Sequence, residues 1–585
     1  MNRAVPPRGD GGNPPVTSSA GYGSRIASAP FAGFVALAAF AIYAAAYFAC
    51  VYQPGLIRMD DFGYLQGVVE TIAAGHPVTN AWLGPYSATL SGMSALAFRA
   101  TGDFILSTWG LQAVFVLGGA ALLYRLFRAR LTSAAAAGLA LVTATQPGYW
   151  HKCSEFSGNV STMYFAMAAL LAYRNRSRDL AWAWFFPLVF LAFANRQNAL
   201  ALLALPAWHL VFDRSMARPQ KAWLAAGLMA FAFAALLFHS CMNHSFAQTY
   251  ALYSGWDFSK AGGILRTWIF GVAAALGFLS LFGLLTVADP VARIQANLRK
   301  PWIPFAATAV FWLPSAIGPL PMLSFLTPLV GSLDRTSALQ WFLLIVIPCL
   351  FWTLDWKWIR FDAPACLVLG FVSISSLRGF WYDFYLLDVA LAAFFLGLTR
   401  DTPLRPGRFS FLMGVVLLCA HGAWAYGYKI LSDKQRISIA AYEHLERAGR
   451  LTPAEMTDGT FGYLGWKLFD QYWRHEKIMD LAGYLGYVRT GRAVLEAELP
   501  WRASFRRPEL PGEEVLAEGR TRIGFFPARY RIRDLHDTAS KALCEPALVL
   551  DPANYRRRPF PLDNKEWSAY VEDFRKHGGT EAGGP

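Results

Sequence analysis

Apolar runs long enough to cross a bilayer alternate with short polar connections from Pro30 to about Tyr428. They predict spans near 31–52, 104–124, 133–149, 158–173, 180–194, 198–212, 222–240, 267–287, 302–318, 338–354, 363–377, 384–399 and 409–428. The pairs around 133–212 are short enough for a shift of a residue or two to merge or split them. Between the first two runs the chain is only half apolar, from about Tyr52 to Asp103. Inside that stretch Phe62, Leu65, Val68, Val69 and Ile72 recur at helical spacing on one face. This predicts an amphipathic helix over 61–74, lying on the membrane surface and ended by Gly75-His76-Pro77.

The pattern changes at both ends. Residues 1–29 are rich in Pro, Gly and Ser and read as a disordered tail. The run from Phe31 to Val51 exceeds the ~7–15 apolar residues of a signal peptide, so it reads as an uncleaved first span. From Lys429 onward, helical patterns near 432–449 and 466–482 precede alternating segments such as TRIGFFPARYRIR. The expected architecture is an α-helical polytopic membrane domain over 30–428, followed by a soluble α/β or α+β domain over 429–585. A GYLG repeat and the aromatics Trp466, Tyr472, Trp473, Tyr484 and Tyr487 lie in that second domain, and core packing is their simplest use.

Composition agrees with the pattern. Of the 585 residues, 55% are hydrophobic and 16% charged, against roughly 25% charged in soluble domains. The mean hydropathy is +0.31. The net charge of +14 is largely a topology signal. With the N-terminus inside, the inner connections hold Arg125, Arg128, Arg130, Arg174, Arg176, Arg178, Arg214, Arg218, Lys221, Arg293, Arg299, Lys300, Lys357, Arg360, Arg400, Arg405 and Arg408, with Arg3, Arg8 and Arg25 in the tail. The outer side of the membrane domain holds only Arg58, Arg99, Lys152, Arg196, Lys260, Arg266, Arg335 and Arg378. The positive-inside rule favours this orientation, which puts the C-terminal domain outside. Basic residues in that domain are nearly matched by acids, which argues against a nucleic-acid partner. The seven cysteines show no CxxC or Cys/His metal spacing. Frequent Ala, Gly and Arg point to a bacterial source, hence an inner (plasma) membrane with a periplasmic outer face.

The candidate chemistry lies on the outer side. In GLIRMDDFGYLQGV, Asp60 and Asp61 stand together where the first outer helix begins. One acid there caps the helix and meets its dipole; two exceed what a cap requires. Other outer loops bring His151, Lys152 and Glu155 (YWHKCSEFSGN), Asn195, Arg196, Gln197 and Asn198 (FANRQNAL), Arg378, Tyr382, Asp383 and Tyr385 (LRGFWYDFYLLD), and His244, Tyr250, Trp256, Asp257 and Lys260. Charges at a membrane edge are costly and often functional, and the competing use is anchoring at the interface. Anchoring suits Arg58, Arg99 and Arg266. Lys152, Arg196 and Arg378 sit among other polar groups, where a phosphate is bound by several donors.

An acidic pair opening an amphipathic helix in a large first outer loop resembles the GT-C glycosyltransferases. The layout with an outer C-terminal domain is similar to the branch of protein O-mannosyltransferases and aminoarabinose transferases. MDDFGYLQ matches that branch's first-loop acidic motif in position and in the following aromatic, Tyr64. The resemblance implies a sugar donor carried on a polyprenyl phosphate, a lipid, glycan or protein acceptor at the outer bilayer face, and inverting displacement at the anomeric carbon. It implies Asp60 as general base and Asp61 as an orienting acid, with Tyr64, His151, Lys152, Glu155, Arg196, Arg378, Tyr382 and Asp383 as binding candidates. One adjacent acidic pair offers too few metal ligands alone, so metal independence is expected, with a divalent cation the alternative. A secondary transporter would carry repeated halves with broken helices, and no such repeat is evident. A lipid-linked oligosaccharide ligase or polymerase would place its largest outer loop late in the chain.

Overall fold

The structure, a computed structural model, describes residues 22–54, 61–78, 86–175, 181–242, 261–317, 338–356, 362–377, 406–447, 488–489, 493–498, 513–523 and 526–535. The first span is α1 (Tyr22–Ala46), continued by a wider turn over Tyr47–Val51. Then come α2 (Asp61–Ala74), α3 (Ala88–Thr101), a wide turn over Leu106–Gly110 leading into α4 (Leu111–Phe127), α5 (Ser133–Ala144) and α6 (Pro147–Ser154). Next are α7 (Gly158–Arg174), α8 (Ala181–Phe193), a 3-10 turn over Gln197–Leu203, α9 (Ala204–Phe212) and α10 (Arg218–Cys241). The later helices are α11 (Ala261–Thr286), α12 (Pro290–Leu298), α13 (Trp302–Ile317), α14 (Ala338–Phe351), α15 (Ala363–Leu377) and α16 (Arg408–Arg447).

The apolar runs read as spans fall mainly on helix where they are described, and 384–399 lies outside the described residues. Among the described residues four helical stretches are long and apolar enough to cross a membrane: Gly33–Val51, Leu106–Phe127, Arg218–Cys241 and Arg408–Gly427. Others are shorter. The run at 133–149 is cut at Thr145-Gln146, with Pro147 opening the next helix, because proline is accommodated in a first turn but not inside. Close packing holds these helices together. On α4, a Cβ at Gly118 would lie 2.7 Å from the Tyr164 ring, and one at Gly119 would lie 2.9 Å from the Tyr149 hydroxyl. Small residues let membrane helices approach where no hydrophobic drive separates them from lipid.

The helix over 61–74 has the expected bounds, but its apolar face meets protein. Tyr64, Leu65, Val68, Val69 and Ile72 are all buried in the common core with α1, α4 and α7. At about 1.5–3 kcal/mol per large apolar side chain, that face holds α2 firmly. The unforeseen α3 packs on α2. Arg99 of α3 donates to the Gly75 carbonyl at 3.0 Å, and Gly75 has φ +82°, so Arg99 closes the C-terminus of α2 where anchoring was expected. The side chains of Arg58 and Arg266 lie outside the described part.

The helices sort by their ends. Arg174 of α7 donates to the Arg125 carbonyl of α4 at 2.8 Å, while Gln112 at the start of α4 bonds the α6–α7 turn. These two helices therefore run parallel. At the same end as Arg174, Tyr173 Oη bonds His209 Nε2 at 2.7 Å, and His209 Nδ1 bonds Asp213 Oδ2 at 2.8 Å. Asp213 also accepts from the Ser215 hydroxyl at 2.6 Å and amide at 3.0 Å. Ser215 first, and His209 with it, hold the Asp213 carboxyl down at about 2.

In the C-terminal part α16 runs unbroken past Lys429 to Arg447, with Lys429 donating to Asp433 at 2.5 Å. The strands β1 (Val488–Arg489), β2 (Ala493–Glu498), β3 (Glu513–Ile523) and β4 (Phe526–Leu535) form an antiparallel sheet in the order β1-β2-β4-β3. The alternating segment TRIGFFPARYRIR is the tip of the β3–β4 hairpin, with Ile523 opposite Phe526. The helix expected at 466–482 and the aromatics named with it lie outside the described residues.

Candidate functional site

Three pieces of chain converge at the end of the bundle opposite Arg174. Asp61 is the first residue of α2, and Tyr64 follows one turn later. Tyr64 is buried, and its ring lies against the start of α7: a Cβ on Gly158 would come within 2.9 Å of it. The same Cβ would lie in ordinary contact, 3.5 Å, with the Asn195 carbonyl, so the three segments meet at Gly158 and the Tyr64 ring is what favours glycine there. Arg196 stands beside them with its guanidinium 5.8 Å from the Tyr64 ring centre, within cation–π range.

Asn195 locks the turn between α8 and the 3-10 segment. Its Oδ1 accepts from the Leu90 amide at 2.9 Å, and its Nδ2 donates to Ser161 Oγ at 2.8 Å. One buried amide therefore ties α3, α7 and α8. The Ala88 amide adds a bond to the Ala194 carbonyl at 3.1 Å. Gln112 of α4 does the same for the α6–α7 turn. It donates to the carbonyls of Cys153, at 3.1 Å, and Glu155, and accepts from the Ser157 amide at 3.1 Å. Backbone groups that would be orphaned in a buried turn are thus satisfied.

Lys152 and Glu155 are drawn together as a buried ion pair, Nζ to Oε2 3.0 Å, with side chains 8% and 2% exposed. An isolated charge in that position would be costly, and pairing offsets the cost. Polar capacity remains nearby. Ser157 Oγ, on the residue preceding α7, and both amide atoms of Asn198 are buried with no hydrogen-bond partner among the described residues. Unsatisfied groups of this kind cost about 1–3 kcal/mol each unless water or a ligand meets them.

The structure thus brings together Tyr64 and Arg196, with Asp61 at the head of the same helix, and pairs Lys152 with Glu155. His151 lies in α6, with its side chain outside the described part. Asp60, Arg378, Tyr382, Asp383 and the residues from His244 to Lys260 lie outside the described residues. Among the described residues no three His, Cys, Asp or Glu side chains gather as a metal site. Sequence reasoning passed over Gln112 and the pair of Tyr86 and His239. The latter are buried at 3.2 Å from each other, next to Phe193 and so to the Asn195 turn. The signal for His239 was a histidine ending an otherwise apolar helix.

No family model matches the chain, and no curated protein matches it in sequence. Among solved structures it is similar to the crystal structure of ArnT from Cupriavidus metallidurans bound to undecaprenyl phosphate. That similarity is 14% identity over 88% of this chain and 98% of that one, with a TM-score of 0.31. At that distance the site is read from its own residues.

Proposed function

We propose that this protein is a membrane glycosyltransferase that moves a sugar from a polyprenyl-phosphate donor to a lipid, glycan or protein acceptor at the outer bilayer face. One juxtaposition carries the reading. The helix headed by Asp61 is seated, through Tyr64, on the start of α7 and beside Arg196. Acid, guanidinium and helix N-terminus therefore share one end of a bundle that contains membrane-length helices. A lipid-borne donor stays in the bilayer, so its chemistry must happen at such an end.

The acceptor hydroxyl oxygen attacks the anomeric carbon as Asp60 takes its proton. The bond from that carbon to the phosphate oxygen breaks, and its electron pair leaves on the polyprenyl phosphate. Configuration inverts. Asp61 orients the acceptor while Asp60 holds the proton. Arg196, Arg378 and the α7 N-terminus take up the charge that develops on the leaving phosphate. Lys152 contributes there with Glu155 setting its position, and Ser157 and Asn198 offer further hydrogen bonds. Tyr64, His151, Tyr382 and Asp383 are the remaining candidates for binding donor phosphate or acceptor. No metal is required in this scheme.

The test is transfer of labelled sugar from polyprenyl-phosphate donors by the purified protein in detergent, with and without a chelator. Transfer that leaves free polyprenyl phosphate supports the reading. Absence of transfer with every donor sugar tried, alongside donor-independent movement of a solute in proteoliposomes, would favour transport.

A further inference from the structure

We infer that α12 is a membrane-surface helix that seats its apolar stripe in the lipid leaflet at its end of the bundle and binds anionic headgroups through its basic end. The helix follows α11 and precedes α13, and none of its residues is buried. Nine residues span about 13 Å, far short of a ~30 Å hydrocarbon core. Val291, Ile294 and Leu298 are all exposed, at 61%, 36% and 58%. Their spacing of three and four residues sets them in one stripe.

That stripe is held in place from another face of the helix. Asp289 caps α12, accepting from the amides of Val291 at 2.9 Å and Ala292 at 3.1 Å. Arg293 pairs with Asp355 at 3.1 Å, and Asn297 donates to the carbonyls of Trp352 at 2.7 Å and Leu354 at 2.9 Å. Arg293 and Asn297, four residues apart, clamp one side of α12 to the chain leaving α14. A helix this short is marginal alone, so the cap and clamp fix which residues face out. Fixing an apolar stripe toward water would be unfavourable, whereas a bilayer surface accepts it.

The occupant is indicated by what surrounds the stripe. Trp302 and Phe305, at the start of α13, are 67% and 62% exposed and extend the apolar surface, with a tryptophan at the expected headgroup depth. Arg299 and Lys300 lie exposed between stripe and tryptophan. Arg408 is held at the same end, because the amide of its neighbour Gly407 bonds the Val287 carbonyl at 3.0 Å. Basic groups beside a shallow apolar stripe complement phosphatidylglycerol-type headgroups.

The experiment places a nitroxide on single cysteines at Val291, Leu298 and Ala296 in full-length protein whose native cysteines are replaced by serine. Ala296 lies on the opposite side of the helix from Leu298 and is exposed. The protein is reconstituted in phosphatidylcholine, alone or with phosphatidylglycerol. Labels at Val291→Cys and Leu298→Cys should collide preferentially with oxygen, and the label at Ala296→Cys with a water-soluble nickel chelate. Phosphatidylglycerol should deepen the first two, and Arg299→Gln with Lys300→Gln should abolish that increment. Equal nickel access at all three sites would overturn the proposal, as would spin–spin broadening showing a second copy on the stripe. An immersion that ignores headgroup charge would overturn its anionic part.

Discussion

Replacing Glu155 with glutamine leaves Lys152 charged inside the protein. The pair is 3.0 Å long, and neither side chain is more than 8% exposed. Removing one partner of a buried pair typically costs ~3–5 kcal/mol, because the other charge loses part of the compensation it was buried with. Glutamine keeps an acceptor oxygen, so the cost should fall at about 3 kcal/mol, the low end of that range. Lys152→Met with Glu155→Gln removes both charges and should restore most of the loss. A double-mutant cycle should therefore give a coupling of at least about 2 kcal/mol, at the upper part of the range for residues in contact. The assay is thermal melting of matched preparations in one detergent, together with donor kinetics. If Lys152 touches the donor phosphate, the double variant regains stability but not transfer. A Glu155→Gln protein as stable as the parent, with additive effects in the cycle, would refute the ion-pair reasoning.

Asn195→Ala deletes the bonds to the Leu90 amide and Ser161 Oγ, and should destabilise by about 2–4 kcal/mol, seen as a lower melting temperature. Gly158→Ala drives a methyl to 2.9 Å from the Tyr64 ring and should lower both melting temperature and transfer, and its effect on melting should be smaller in a Tyr64→Ala background, where the ring it meets is gone. Asp213 is held at about 2, below the ordinary carboxylate value, so its contribution is present above pH ~4 and fades as pH falls toward 2. Ser215→Ala should move that loss upward in an acid-melting profile of the folded protein.

Much of the bundle was legible because lipid imposes long apolar runs, and α2 because its apolar stripe and the Gly75-His76-Pro77 stop are local signals. The TRIGFFPARYRIR alternation likewise marked strand, while its pairing as the β3–β4 hairpin was not read from it. What escaped was tertiary. The buried face of α2 has the same spacing whether it meets lipid or protein, and only packing decides. Helix α3 lacks a charged-to-apolar contrast strong enough to mark it, since small residues make up much of ATLSGMSALAFRAT. The roles of Asn195 and Gln112 depend on partners up to 105 residues away, which no local pattern encodes. Lys152 and Glu155, three residues apart, were both named as binding candidates. Their proximity at i and i+3 was visible, while their burial was not.

Catalysis turns on the acidic pair. Asparagine caps a helix about as well as aspartate, so Asp60→Asn and Asp61→Asn leave capping nearly unchanged and remove the carboxylates. The decisive measurement is sugar transfer from a polyprenyl-phosphate donor by purified Asp60→Asn protein whose melting matches the parent's. A general base predicts turnover lower by roughly 10²–10⁴-fold, with a smaller loss for Asp61→Asn. Near-parental transfer by Asp60→Asn would contradict the base assignment, and near-parental transfer by the double variant would leave the pair as a helix cap.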